Sequence, residues 1–151
     1  WQDRRGANIL DGSAPFYRCY ACADGEHVAV GALEPQFFAA LLAGLEIPAD
    51  RFMQYDIAQW PALAEAIGAR FAAAPRAHWE SIFAATDACV APVLSMGEAM
   101  AHGANVARGV FLEAGGVTQA APAPRFSATP GGVHESRTIS ADEAIAGWRR
   151  N

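Results

Sequence analysis

The stretch Pro15-Phe16-Tyr17-Arg18-Cys19-Tyr20-Ala21-Cys22-Ala23-Asp24-Gly25-Glu26-His27-Val28-Ala29-Val30-Gly31-Ala32 decides the fold. Strand formers fill residues 16–22, Val28-Ala29-Val30 answers them, and Asp24-Gly25 stands between. Asp-Gly tolerates positive φ at both turn positions, so this arrangement predicts a β-hairpin over 15–32. The chain then turns at once into a helix. Pro35 has the fixed φ that suits a first helical position, and Glu34 stands where an N-cap would.

Downstream of the hairpin, Phe37, Leu41 and Leu45 form one helical stripe with Phe38 and Leu42 beside it, and Gly44 helps to end it. After a loop through Pro48 and Asp56, Pro61 opens a second helix carrying Leu63, Ile67 and Phe71, which Pro75 stops. A third runs from Ala77 with Trp79, Ile82 and Phe83 on one face, and Thr86-Asp87 breaks it. Residues 88–94 are a short apolar run interrupted by Pro92, which predicts an edge strand. Ser95-Met96-Gly97-Glu98 matches a capping box opening a short helix to about His102. Residues 109–113 are a further strand candidate, residues 120–132 an extended connection, and Ser140-Ala141-Asp142-Glu143 a second capping box before a last helix through Ile145 and Trp148.

Strands and helices do not alternate as βαβ units. The expected class is α+β, a small and mostly antiparallel sheet with helices packed on it. The expected organisation is an N-terminal loop (1–14), an α+β small domain (15–119) and an extended connection with a C-terminal helix (120–151).

Composition excludes several functions. The net charge is −5 and the basic doublets, Arg4-Arg5 and Arg149-Arg150, stand at the two ends, so no nucleic-acid partner is expected. No apolar run approaches the ~20 residues that cross a bilayer, and no membrane association is expected. The odd count of cysteines, three, argues against a disulfide framework and for a reducing cytoplasm. The chain starts at Trp1 and not at methionine, which fits a fragment of a longer polypeptide.

Cys19-Tyr20-Ala21-Cys22 is a C-x-x-C, but strand residues three apart face opposite sides, so the thiols cannot share a metal; small buried or half-buried cysteines are expected. The four histidines are scattered, Glu98 and His102 one helical turn apart predict a surface pair, and the glycine pairs Gly115-Gly116 and Gly131-Gly132 need only turn roles. No metal site is expected. What remains is Glu34, at a junction held by a strand on one side and a helix on the other. Such a carboxylate is well placed for chemistry. Yet a glutamate at a helix start also gains roughly 0.3–1 kcal/mol from the helix dipole, and that alone accounts for many of them.

Residues 8–17 (Asn8-Ile9-Leu10-Asp11-Gly12-Ser13-Ala14-Pro15-Phe16-Tyr17) and 23–37 resemble the α-methylacyl-CoA racemases, a group within the class III CoA-transferase (CaiB/BaiF) family. Asp56 with Trp60-Pro61, the helix of Trp79, and Thr86-Asp87-Ala88-Cys89-Val90-Ala91-Pro92-Val93-Leu94 continue the resemblance in the same order, over about residues 1–130. It implies the small α+β domain of an interlocked homodimer, with the active site between this domain and the large domain of another subunit. It implies an isomerase of fatty acid metabolism that racemises the α-carbon of 2-methyl-branched acyl-CoA thioesters, with the catalytic histidine and aspartate in the large domain. No cofactor is implied, because CoA is part of the substrate. The family's glutamate falls on Glu34, where it orients the catalytic histidine; the acyl-chain pocket falls on Leu10, Tyr17 and Leu33. CoA transferases of the family carry a glycine run before the first strand and lack this glutamate, so the racemase is the closer likeness. A transferase and a non-catalytic interaction module are the alternatives. Residues after Pro130 depart from the family ending and receive no role.

Overall fold

The computed structural model describes residues 2–133 and 138–148; His134, the end of the unassigned stretch at Arg137 and the Arg149-Arg150 doublet lie outside them. The chain divides into two compact units, Trp1–Leu94 and Ser95–Asn151.

In the first unit, β1 (Tyr17–Ala21) and β2 (His27–Gly31) form the expected hairpin, antiparallel with Tyr17 opposite Gly31 and Ala21 opposite His27. Gly25 takes φ 81°, but Asp24 does not take a positive φ, so the connection is a five-residue loop over 22–26 and not a two-residue Asp-Gly turn. β3 (Val90–Val93) adds to β2 antiparallel, giving the order β1-β2-β3. Pro92 thus stands in an edge strand, where its missing N–H does least harm. With the helices below, this is the expected α+β class.

Three helices cover one face of that sheet. α1 (Pro35–Gly44) buries Phe38, Leu41 and Leu42, with Leu45 following it. α2 (Trp60–Phe71) buries the predicted stripe Leu63, Ile67 and Phe71, after a 3-10 turn (Ile57–Gln59) that Asp56 caps. α2 ends four residues before Pro75, and Trp79 Nε1 donates to the Phe71 carbonyl at its terminus and to the Ala74 carbonyl beyond it. Pro75 therefore does not stop α2; it is the N-cap position of α3 (Arg76–Phe83).

α3 buries Trp79 and Phe83, but Ile82 is 40% exposed, against the reading that grouped all three. Two large aromatics at i and i+4 fill the narrow contact stripe of an eight-residue helix, and Ile82 falls on its flank. Proline has no side-chain acceptor, so α3 takes its cap from far away. Asp24, in the hairpin turn, accepts the Arg76 N–H at 3.0 Å, while the Arg76 guanidinium reaches Glu26 at 2.9 Å and the Val93 carbonyl at 2.8 Å.

The second unit carries no residue of the buried core among those described. Its capping box is present: Ser95 Oγ accepts from Glu98 N–H and the Glu98 carboxylate from Ser95 N–H, opening α4 (Met96–Ala101). α5 (Gly103–Ala107) follows directly, a helix the sequence reading missed by stopping at His102. β4 (Phe111–Ala114) also has an unforeseen partner, β5 (Val117–Ala120), across Gly115-Gly116 at φ 60° and 75°. Those glycines make a hairpin turn. α6 (Ala141–Trp148) starts at the predicted capping box, with Glu143 accepting from Ser140 N–H.

A candidate active-site groove on the open face of the sheet

Alternation along the strands sorts the sheet into two faces. Tyr20 and Val28 sit opposite one another on the core side, and Val30 joins them. On the other side, Cys19, Ala29 and Ala91 form one cross-strand row, with Tyr17 and Gly31 paired beside it. Small side chains leave this face low. The N-terminal loop rises over it at Leu10, Asp11 and Gly12, and Cys89 closes one flank, enclosing a groove of about 780 Å³.

The loop keeps its shape through Asp11, whose carboxylate accepts from Asn8 N–H (2.9 Å), Asn8 Nδ2 (3.0 Å) and Ala7 N–H (3.2 Å). The Asn8 side-chain amide is the chief reason that the Asp11 carboxyl is held below its ordinary pKa. Ser13 Oγ donates to the Asn8 carbonyl at 2.6 Å. These bonds hold Leu10 outward, 58% exposed, against water. An apolar side chain kept at a groove rim by a polar scaffold suits an apolar ligand.

Of the residues singled out from sequence, Leu10 and Tyr17 meet in the groove. Leu33 is not among its walls; it lies just past the end of β2 and packs against the core. Glu34 is exposed beside it, at φ −77° and ψ 146°. It occupies the N-cap position, but its side chain makes no capping hydrogen bond and no ion pair with any described residue. The helix therefore does not consume the carboxylate. Its charge is felt at the groove nonetheless: the Cys89 thiol is pushed up, first by partial desolvation and then by Glu34 and Asp87.

The C-x-x-C pair splits, with Cys22 buried and Cys19 exposed in the groove, so Cys19 is not the half-buried residue expected. The cause is the low outer face, where the neighbouring side chains of the row are alanines. Among the described residues no cluster of His, Cys, Asp or Glu is arranged to hold a metal, and no helix is long and apolar enough to cross a membrane. Sequence reasoning missed Cys89 and the small-residue row because alanine and cysteine carry no local signal of which sheet face they will floor.

Residues 2–137 match the family model described as CoA-transferase family III. The chain belongs to this family. It is 44% identical over 145 residues to the alpha-methylacyl-CoA racemase of the mouse, covering 95% of this chain and 38% of that protein. It is 45% identical over 113 residues to the human alpha-methylacyl-CoA racemase, covering 74% of this chain and 30% of that protein. A CaiB/baiF CoA-transferase family protein of Caenorhabditis elegans is 33% identical over 118 residues, 78% of this chain and 33% of that protein. The chain thus spans little more than a third of these relatives at most.

Proposed function

We propose that this chain supplies the small-domain side of the active site in an isomerase that racemises 2-methyl-branched acyl-CoA thioesters. The observation that carries the reading is Glu34: a carboxylate that caps nothing and pairs with no described residue, fixed between a strand and a helix beside an apolar groove. Two relatives that bear the racemase name support it.

Racemisation breaks the α-C–H bond on one face and re-forms it on the other, through an enolate of the thioester. A base and an acid must face one another across that carbon. On this reading the histidine and aspartate that the family resemblance implies belong to the large domain. Glu34 is the residue that accepts a hydrogen bond from the imidazole, sets its orientation and favours its protonated form. Leu10 and Tyr17 hold the acyl chain. CoA enters as part of the substrate and no further cofactor is required. The partner is the large domain of the same enzyme in a homodimer; the unpaired cysteines fit a cytoplasmic setting.

The test is Glu34→Gln in an enzyme that carries this chain together with the remaining family sequence. Exchange of the α-proton for deuterium should fall on the order of 10²-fold. The limb of the pH–rate profile that reports the imidazole should move to lower pH, because removing the carboxylate destabilises the imidazolium. Unchanged exchange removes Glu34 from the mechanism. The transferase reading, favoured by the name of the nematode relative, is tested with the same protein. CoA transfer to a free acid without α-exchange would establish it.

A further inference from the structure

We infer that Gln54 and Tyr55 are positioning residues for Glu34, clamping the strand-to-helix junction from which its carboxylate projects; this rests on the role proposed for Glu34. The junction has little regular structure of its own. Ala32 N–H donates to the Phe16 carbonyl and Leu33 N–H to the Gly31 carbonyl, a tight three-residue turn, both at 2.9 Å. The Ala32 and Leu33 carbonyls lie in this break between β2 and α1.

Two side chains from the loop between α1 and α2 take up those carbonyls. Gln54 Nε2 donates to Ala32 O at 3.1 Å and to Leu33 O at 2.8 Å, and the Tyr55 hydroxyl donates to the same Leu33 O at 2.6 Å. Gln54 is a buried polar side chain, 8% exposed, and both its amide hydrogens are spent on this segment. Its own backbone is held in turn, its carbonyl accepting from Trp60 Nε1 at 2.9 Å. The rings of Tyr55, Trp60 and Phe38 each meet Phe16 edge-on at 5.7 Å, so one buried ring ties the loop, α2 and α1 together.

The backbone at Glu34 is restricted from its other side as well. Pro35 fixes its own φ, and a residue before proline is confined to extended backbone, which Glu34 adopts. With Leu33 O gripped by two donors and Pro35 locked, the Glu34 Cα–Cβ direction is set from both sides. Releasing Leu33 O loosens one side. Since catalysis through an oriented imidazole is sensitive to small displacements, the effect belongs on turnover, not on substrate binding at Leu10 and Tyr17.

The experiment compares Tyr55→Phe, Gln54→Met and Glu34→Gln, singly and in pairs, in an enzyme carrying this chain with the remaining family sequence. Deuterium exchange into a racemic 2-methylacyl-CoA is followed. Each brace variant should lower kcat about 3- to 10-fold with KM within twofold, and should have less than a twofold effect once Glu34 is Gln. A silent brace variant in an enzyme that Glu34→Gln impairs overturns this inference alone. So does a loss that persists undiminished in the Glu34→Gln background, or one confined to KM. A silent Glu34→Gln instead overturns the proposed function, and this inference with it. If Gln54→Met does not fold, Tyr55→Phe decides the matter, because it removes one hydroxyl from a side chain that is largely in solvent and keeps the ring.

Discussion

Replacing Gly44 with alanine sets two effects of opposite sign against each other. Gly44 is the last residue of α1 and its φ is not positive, so alanine fits the backbone and should gain roughly 0.5–1 kcal/mol of helix propensity. The side chain has nowhere to go. A Cβ there would lie 2.3 Å from Phe83 Cε1 and 2.8 Å from Cζ. That is about an ångström short of the ~3.5 Å at which carbon atoms pack. Phe83 is 3% exposed and its ring lies against Trp79 (6.4 Å) and Phe71 (6.3 Å), so it cannot swing clear without disturbing both. Overpacking of this kind costs ~1–3 kcal/mol, which exceeds the propensity gain. The net should be about 1–2 kcal/mol of destabilisation, or roughly 5–10 °C in Tm for a unit of this size. Thermal unfolding by circular dichroism measures it. A Gly44→Ala chain that melts at or above the parent refutes the reasoning. A second arm locates the cause: in a Phe83→Leu background the same change should be neutral or stabilising, and an undiminished loss there would clear Phe83 of blame.

Asp24→Ala removes the long-range cap of α3 and should destabilise the first unit by about 1 kcal/mol, read by denaturant unfolding, with the fastest new amide exchange at the start of α3. Cysteine alkylation should separate three environments at pH 8: Cys19 fast, Cys89 slow, Cys22 protected. Cys89 lags because its raised pKa lowers the thiolate fraction at a given pH; Glu34→Gln lowers that pKa and should speed its alkylation, and an unchanged rate would deny that the two are electrically coupled.

Much of the fold was legible because its signals are local. The Asp24-Gly25 turn, the prolines that open α1 and α2, the Leu63-Ile67-Phe71 stripe and both capping boxes are each decided within a few residues. α5 and β5 were missed for the opposite reason: His102-Gly103 reads as a stop, and Val117–Ala120 is too short and too exposed to show a buried face. The candidate site was legible in part. Leu10, Tyr17 and Glu34 stand in motifs of the family, whereas Gln54 and Tyr55 occupy a loop with no local pattern, and their bonds to Ala32 and Leu33 bridge some 21 or 22 positions of sequence.

By itself, then, the sequence determined where strands and helices begin, because turn chemistry and backbone restriction act on neighbours. It also determined that Glu34 would sit extended before Pro35, since the ring of a proline constrains the residue preceding it. Only the tertiary structure decided that this carboxylate pairs with no described residue, that the C-x-x-C divides between core and groove, and that a distant glutamine and tyrosine hold the junction. Those outcomes depend on which face of the sheet the helices cover and which loop reaches back to a carbonyl, and both are settled by packing between residues far apart in the chain.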